Sequence, residues 1–242
     1  MGLFDFVGYG LLIDKFNGSE KLGTYLLLAT VLVAVCGYLL GSLNGAEIIS
    51  RLVMHDDVRK YGSKNAGMTN MIRVFGAKAG ILTVMIDVGK TLIAVFIGCF
   101  LGRATFLPYV AGLCCLIGHA FPLYFGFKGG KGVLVGAATA LCVSVPTFGI
   151  LIAVFGLVLW FTKYVSVSSM VSALMFPFII AKFPVYMVSE GNNVPAPTLA
   201  PVFALVMAAA IIFLHRENIR RLKSGTENKI GKKKDGGSQD GN

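Results

Sequence analysis

The segment Val133–Phe161, "VLVGAATALCVSVPTFGILIAVFGLVLWF", runs for 29 residues without a single charge. A helix needs only about 20 apolar residues to cross the hydrocarbon core of a bilayer, so this run is too long for one crossing. Pro146 stands near its middle, where proline removes a backbone donor and its ring clashes with the preceding turn. The pattern predicts two short helices of 13 to 15 residues each, one before and one after Pro146. A thinned bilayer or flanking helices would accommodate their length.

The rest of the chain sets that reading in context. Of its 242 residues 55% are hydrophobic and only 14% are charged, too greasy a balance for a single soluble core. Six apolar segments begin near Tyr25, Gly80, Leu107, Val133, Ser168 and Leu199. They are continuous rather than alternating, which excludes a membrane β-barrel and predicts helices. The fold class is therefore all-α, a polytopic membrane helical bundle. If Val133–Phe161 crosses twice, there are seven spans.

Charge placement agrees with seven. The segments 44–79, 126–132, 162–167 and 216–242 then share one side and hold seventeen Lys and Arg, against three on the other side. Six spans would divide the same residues nine against eleven. The positive-inside rule favours the first arrangement, with the N-terminus outside and the C-terminus in the cytoplasm. Residues 1–230 form a single integral membrane domain. The first span is retained, since no small-residue cleavage site precedes or follows it. The Gly-rich, charged stretch 231–242 is expected to be a disordered tail.

Two other classes are set aside by composition. The net charge of +10 comes mostly from Lys and Arg beside spans, where lipid headgroups account for it without nucleic acid. The five cysteines (36, 99, 114, 115 and 142) all lie in apolar runs and never in CxxC spacing. They are expected to pack as small apolar residues, with no metal site or disulfide.

Three polar constellations fall on the predicted cytoplasmic side. "YGSKNAGMTNMIRVFG", Tyr61–Gly76, offers Ser63, Asn65, Thr69 and Asn70 as uncharged partners and Arg73 as a planar fork for phosphate oxygens. Met68–Phe75 has loosely helical spacing, so a short interfacial helix would start among the Ser and Asn residues. "FGFKGGKGV", Phe125–Val133, combines Lys131 with Gly129, Gly130 and Gly132, which suits an anion nest and equally suits a flexible hinge. The P-loop pattern GxxxxGK[ST] is absent, which argues against a nucleotide triphosphatase. In "LHRENIRRLKSGTENK", Leu214–Lys229, helical spacing places His215 and Asn218 on one turn at the membrane edge. Ser166 and Ser169 stand three residues apart beside Lys163. Asp87 and Lys90, three apart within a span, are expected to form a structural ion pair. His119 either orders the glycine-rich loop or touches ligand.

Together, "GSLNGAEIISRL", "YGSKNAGMTNMIR", "GHAFPLYFGFKGGKGV" and "HRENIRRLKSGTENK" resemble the bacterial acyl-phosphate:glycerol-3-phosphate acyltransferases, the PlsY family, in order and over nearly the whole chain. Lys64 and Met68 replace residues that are small in that family, and "GSLNG" lacks its usual proline. The resemblance implies seven spans and transfer of a fatty acyl group from acyl phosphate to the 1-hydroxyl of glycerol 3-phosphate. The products would be lysophosphatidic acid and inorganic phosphate, the first acylation of phospholipid synthesis. It implies no metal or dissociable cofactor, a multi-pass place in the inner or plasma membrane with a cytoplasmic site, and a functional link to the enzyme that makes acyl phosphate. Gly129 to Gly132 would hold the acyl phosphate. Ser63, Arg73, Lys131, Ser169, His215 and Asn218 would surround the glycerol phosphate and the reacting carbonyl. His215 is a candidate general base, and a substrate phosphate is the alternative. The Hx4D pattern of other glycerolipid acyltransferases is missing after His55, His119 and His215. The competing reading is a membrane transporter of an anionic phosphorylated metabolite, but the two halves show no repeat and the polar residues mark no path across.

Overall fold

The computed structural model describes residues 2–4, 11–16, 18–103, 105–183, 186–189, 192–195 and 199–230. The stretch 231–242 expected to form a tail lies outside them. Among the described residues the architecture is helical apart from one antiparallel strand pair, Tyr186–Ser189 with Asn192–Pro195. In chain order the helices are α1 (Leu11–Phe16), α2 (Leu22–Gly41), α3 (Gly45–Leu52), α4 (Met68–Phe75), α5 (Ala77–Gly102) and α6 (Leu107–Ala120). They continue as α7 (Val133–Val143), α8 (Val145–Thr162), α9 (Val165–Ile180), α10 (Ala200–Leu214) and α11 (Arg216–Lys223).

Each apolar run of the sequence becomes a helix, and Val133–Phe161 becomes two. The break falls at Ser144 rather than Pro146, and the pieces are 11 and 18 residues rather than 13 to 15. The reason is local. Ser144 is extended (φ −159°, ψ 100°) and its Oγ accepts the Thr147 N–H at 3.3 Å, an N-cap. Pro146 then sits in the first turn of α8, where its missing donor costs nothing.

Among the described residues, four helical stretches are long and apolar enough to cross a membrane: Leu22–Leu52, Ala77–Gly102, Leu107–Phe125 and Val145–Thr162. The pair α10 and α11, bent by 53° at His215, makes a fifth if taken as one span. α7 and α9 are shorter; at 1.5 Å per residue, 11 residues reach about 16 Å of a core roughly 30 Å thick. The outer faces suit lipid: Trp160 and Phe161 of α8 are 72% and 75% exposed.

Packing between spans relies on small residues, as expected where lipid removes the hydrophobic drive between helices. A Cβ on Gly37 or Gly41 of α2 would overlap the backbone carbonyl of Ala111 or Cys115 in α6, so the two backbones touch there. One apolar core joins α6, α7, α9 and α10 around Leu116, Val135, Phe176 and Met207. A second joins α2, α5 and α6 around Val33, Val95 and Leu107, and a third sets α3 and α4 against the start of α5 through Ile49, Met71 and Ala79.

The ends of this bundle differ. Leu3 N–H donates to the Cys142 carbonyl at 3.0 Å, so the N-terminal residues 2–4 lie beside the α7–α8 turn. The other ends of α7 and α8, with α4, the start of α9 and residues 215–230, meet around one cavity.

Candidate active site

That cavity, of about 530 Å³, gathers residues from all three polar constellations and from the start of α9. One wall is the loop 63–67 and α4, whose start and end coincide with the short helix expected over Met68–Phe75. Ser63, Asn65, Thr69 and Arg73 line it, and their side chains make no hydrogen bond or ion pair within the described protein. These are unspent polar groups beside a hollow. Asn70 lines the same wall but is buried and committed: Oδ1 accepts the Ser63 N–H at 2.9 Å, and Nδ2 donates to the Val58 and Tyr61 carbonyls, both at 3.1 Å. It shapes the loop that presents Ser63 and has no hydrogen left for a ligand.

Further lining comes from the glycine–lysine loop, α9 and the C-terminal region. Gly132 adopts φ +74°, a left-handed conformation that glycine takes without strain, and starts α7 with no side-chain cap on its first N–H groups. Lys131 and Gly132 line the cavity, but Gly129 and Gly130 do not. The Gly129 N–H donates to the Ala120 carbonyl at 3.0 Å and the Gly130 N–H to the His119 carbonyl at 3.1 Å. The expected nest of N–H groups over Gly129–Gly132 is therefore corrected: its first two donors are spent behind the site, and Lys131, Gly132 and the first turn of α7 remain. Gly130 is needed for space, because a Cβ there would overlap His119 Nε2 and the Ala66 carbonyl.

Lys131 is the central cation. Its Nζ donates to Asn218 Oδ1 at 2.5 Å. Burial, aided by the charges of Arg221 and Arg73 and opposed by Glu227, pushes its ammonium down to about 8. His215 caps the end of α10, with its Nδ1 2.8 Å from the Ile211 carbonyl. A carbonyl only accepts, so Nδ1 carries the proton and Nε2 offers a lone pair at the cavity. Ser166 and Ser169 occupy the first turns of α9; Ser169 Oγ donates to the Val165 carbonyl at 2.8 Å and keeps its lone pairs.

His119 belongs to a buried cluster under the loop. Lys90 Nζ lies 2.7 Å from Asp87 Oδ1, which is the expected ion pair, and 3.0 Å from His119 Nδ1. His119 Nδ1 also lies 3.4 Å from Asp87 Oδ1, and the Nε2 edge of its ring faces Gly130. His119 lines the cavity wall and also packs its ring under Gly130.

A second support comes from Arg59. It is paired with Glu47 at 2.8 Å and Asp57 at 2.9 Å, and its Nη1 donates to the Phe125 and Lys128 carbonyls, both at 3.0 Å. Arg59→Ala should free the loop and leave Glu47 with Arg51 alone, a loss of about 1–3 kcal/mol. Faster tryptic cleavage after Lys128 in detergent, with a lowered kcat/KM, is the expected result.

The glycerol-3-phosphate acyltransferase family model matches residues 31–225. The chain belongs to that family. It is 37% identical to a glycerol-3-phosphate acyltransferase of Clostridioides difficile over 210 residues, covering 85% of this chain and 97% of that protein. It is 41% identical to one of Mycoplasmopsis synoviae over 217 residues, covering 84% and 96%. The crystal structure of PlsY, an integral membrane glycerol 3-phosphate acyltransferase, in its glycerol 3-phosphate form aligns with a TM-score of 0.75 at 31% identity, covering 84% of this chain and 96% of that one. The lysophosphatidic acid form aligns at 0.71. In this acyltransferase, twelve of the fourteen residues expected at the site line one cavity. Sequence reasoning missed Arg221 and Glu227, which also line it. Glu227 had left a signal, as an acid within a basic stretch from Arg216 to Lys229. Among the described residues, no group of three His, Cys, Asp or Glu is placed to hold a metal ion.

Proposed function

We propose that this acyltransferase moves a fatty acyl group from acyl phosphate to the 1-hydroxyl of glycerol 3-phosphate, yielding lysophosphatidic acid and inorganic phosphate. The observation that carries the reading is a single cavity lined by Arg73 from α4, Lys131 from the glycine–lysine loop and His215 from the end of α10. Two substrates that each bear a phosphate call for two cationic subsites. Met68, Ile72, Leu134, Phe155 and Leu159 supply an apolar side to the same cavity, suited to the start of an acyl chain.

In this reading His215 Nε2 accepts a hydrogen bond from the attacking hydroxyl and orients its oxygen lone pair at the acyl carbonyl carbon. The new ester C–O bond forms as the C–O bond to phosphate breaks, and the hydroxyl proton ends on the departing phosphate. Acyl phosphate is a mixed anhydride with a good leaving group, so no covalent acyl-enzyme is required. Lys131 and the first turn of α7 face the charge that grows on the phosphoryl oxygens.

The proposal includes seven crossings in the cell membrane, with the site on the cytoplasmic face. Its support is that residues 2–4 lie at the α7–α8 turn while residues 215–230 lie at the cavity, so the described termini sit at opposite ends of the bundle. An odd number of crossings follows, and α2 and α5–α10 supply seven apolar helices. The cavity end also bears the excess of Lys and Arg.

The test is purified protein with palmitoyl phosphate and glycerol 3-phosphate, reading released phosphate and lipid product, with palmitoyl-CoA as the alternative donor. Stoichiometric phosphate and lysophosphatidic acid from the first donor alone are expected. Turnover with palmitoyl-CoA in place of palmitoyl phosphate would overturn the donor assignment, and folded protein inactive with both would overturn the reaction.

A further inference from the structure

After α11 the chain turns back, and Ser224–Ile230 lies along the cavity as a strap, with Glu227, Asn228, Lys229 and Ile230 in its lining. Two points fix it. The Ile230 N–H donates to the Lys163 carbonyl at 2.9 Å. Glu227 receives three donors: Asn218 Nδ2 at 2.7 Å and Ser166 Oγ at 2.8 Å on Oε1, and Arg221 Nε at 2.8 Å on Oε2. Its side chain is only 7% exposed.

An acid inside a cavity built for anions is out of place as a binding group, since it repels the substrate. Its geometry explains what it does instead. Asn218 is held from both ends: its oxygen faces the Lys131 ammonium, which only donates, and its NH2 faces the carboxylate, which only accepts. That arrangement allows one orientation of the amide. The Arg221 guanidinium offsets the negative charge, and burial raises the acid less than its hydrogen bonds lower it, so Glu227 stays ionised. The residue lies just beyond the residues matched by the family model.

We propose that Glu227 is a positioning residue: through Asn218 it fixes the amine of Lys131 at the phosphate subsite, and through Ser166 it ties the start of α9 to the same point. The proposal rests on the reading of Lys131 as the phosphate-binding cation. The groups facing Lys131 are Arg73 from α4, His215 at the α10–α11 bend, Arg221 from α11 and Glu227 itself; Glu227 is the acid among the groups that set its charge. Glutamine keeps the shape but offers one acceptor oxygen, so with that oxygen on Asn218 and Ser166 its NH2 meets the Arg221 N–H, donor against donor.

The experiment measures kcat and the KM for glycerol 3-phosphate between pH 6 and 9.5, with thermal unfolding in detergent, for wild type, Glu227→Gln, Glu227→Asp and Lys131→Ala. Glu227→Gln is expected to raise KM by roughly tenfold and lower kcat by less than about threefold. The alkaline fall of kcat/KM should move to lower pH, because Lys131 loses the charge that favours its protonated form. Glu227→Asp restores the charge and should return that limb toward the wild-type position while KM stays raised. A folded Glu227→Gln with wild-type KM and an unmoved limb overturns the proposal. So does a fall in Tm and kcat with no shift of the limb, which is the mark of a merely structural contact. If Glu227→Gln does not fold, Glu227→Asp decides: a raised KM supports the positioning role, and a wild-type KM overturns it. Lys131→Ala with unchanged KM would instead sink the reading of the phosphate subsite itself.

Discussion

Replacing Lys131 with alanine should lower kcat/KM for acyl transfer by roughly 10²–10³-fold, the range for removing one preorganised donor from a site where charge develops. The structure says why no neighbour substitutes. Arg73 lines the cavity from α4, Arg221 is committed to Glu227, and Gly129 and Gly130 have spent their N–H groups on Ala120 and His119. The first turn of α7 would persist and supply the residual anion binding. The pH dependence has a definite sign. With its ammonium pushed down to about 8, Lys131 is charged below that pH and loses its proton above it. Activity at low substrate should therefore fall as pH rises through about 8 in the free enzyme, and bound phosphate should move the fall higher. Lys131→Arg keeps a cation at every accessible pH, so its profile should lose this limb while its activity drops, because a planar fork cannot occupy the ammonium's position beside Asn218. Phosphate release measured across pH 6 to 9.5 for the three proteins decides the matter. An alkaline limb that survives in Lys131→Arg would assign it to another group.

What could be read in the sequence and what could not divide along one line, which is the range of the interaction. Helix α4 was legible at both ends because Gly67 and Gly76 flank a helical repeat, all within ten residues. The division of Val133–Phe161 was legible from its length, but its position was not. Pro146 attracts attention as a breaker, whereas the stop is made by Ser144, whose hydroxyl caps the next helix and leaves proline in a turn that tolerates it. The glycine-rich loop shows the other side. Its composition advertises free N–H groups, yet two are consumed by carbonyls at the end of α6, a pairing that no local pattern displays. Glu227 was missed for the same reason: Ser166, one of its three partners, is 61 residues away in sequence. Composition shows which groups are present. Only tertiary structure shows which of them are already used.

Lys90 carries the largest expected effect on stability. Its Nζ sits among Asp87 Oδ1 at 2.7 Å, His119 Nδ1 at 3.0 Å and the Leu43 and Gly41 carbonyls at 2.9 and 3.0 Å. Those carbonyls are at the end of α2, where the chain breaks before α3, and the Gly45 N–H at the start of α3 donates to Asp87 Oδ1 at 3.1 Å. One ion pair thus serves the loose backbone groups of two helix ends inside the bundle, where water cannot. Lys90→Met fills similar space but leaves Asp87, 1% exposed and with Oδ2 already unpartnered, as an uncompensated buried charge. Breaking such a pair from one side costs about 3–5 kcal/mol. Asp87→Asn in the same chain removes the stranded charge and keeps an acceptor for the Gly45 N–H. The double variant should therefore recover part of the loss, while the Gly41 and Leu43 carbonyls stay unserved and prevent full recovery. Thermal unfolding of the single and double variants in detergent reads this directly. Equal Tm for both would mean that the carbonyl contacts of Lys90, and not its charge, stabilise the α2–α3 break. A loss of activity larger than the loss of stability is also expected, because His119, which packs under Gly130, lies 3.0 Å from Lys90 Nζ and loses that neighbour.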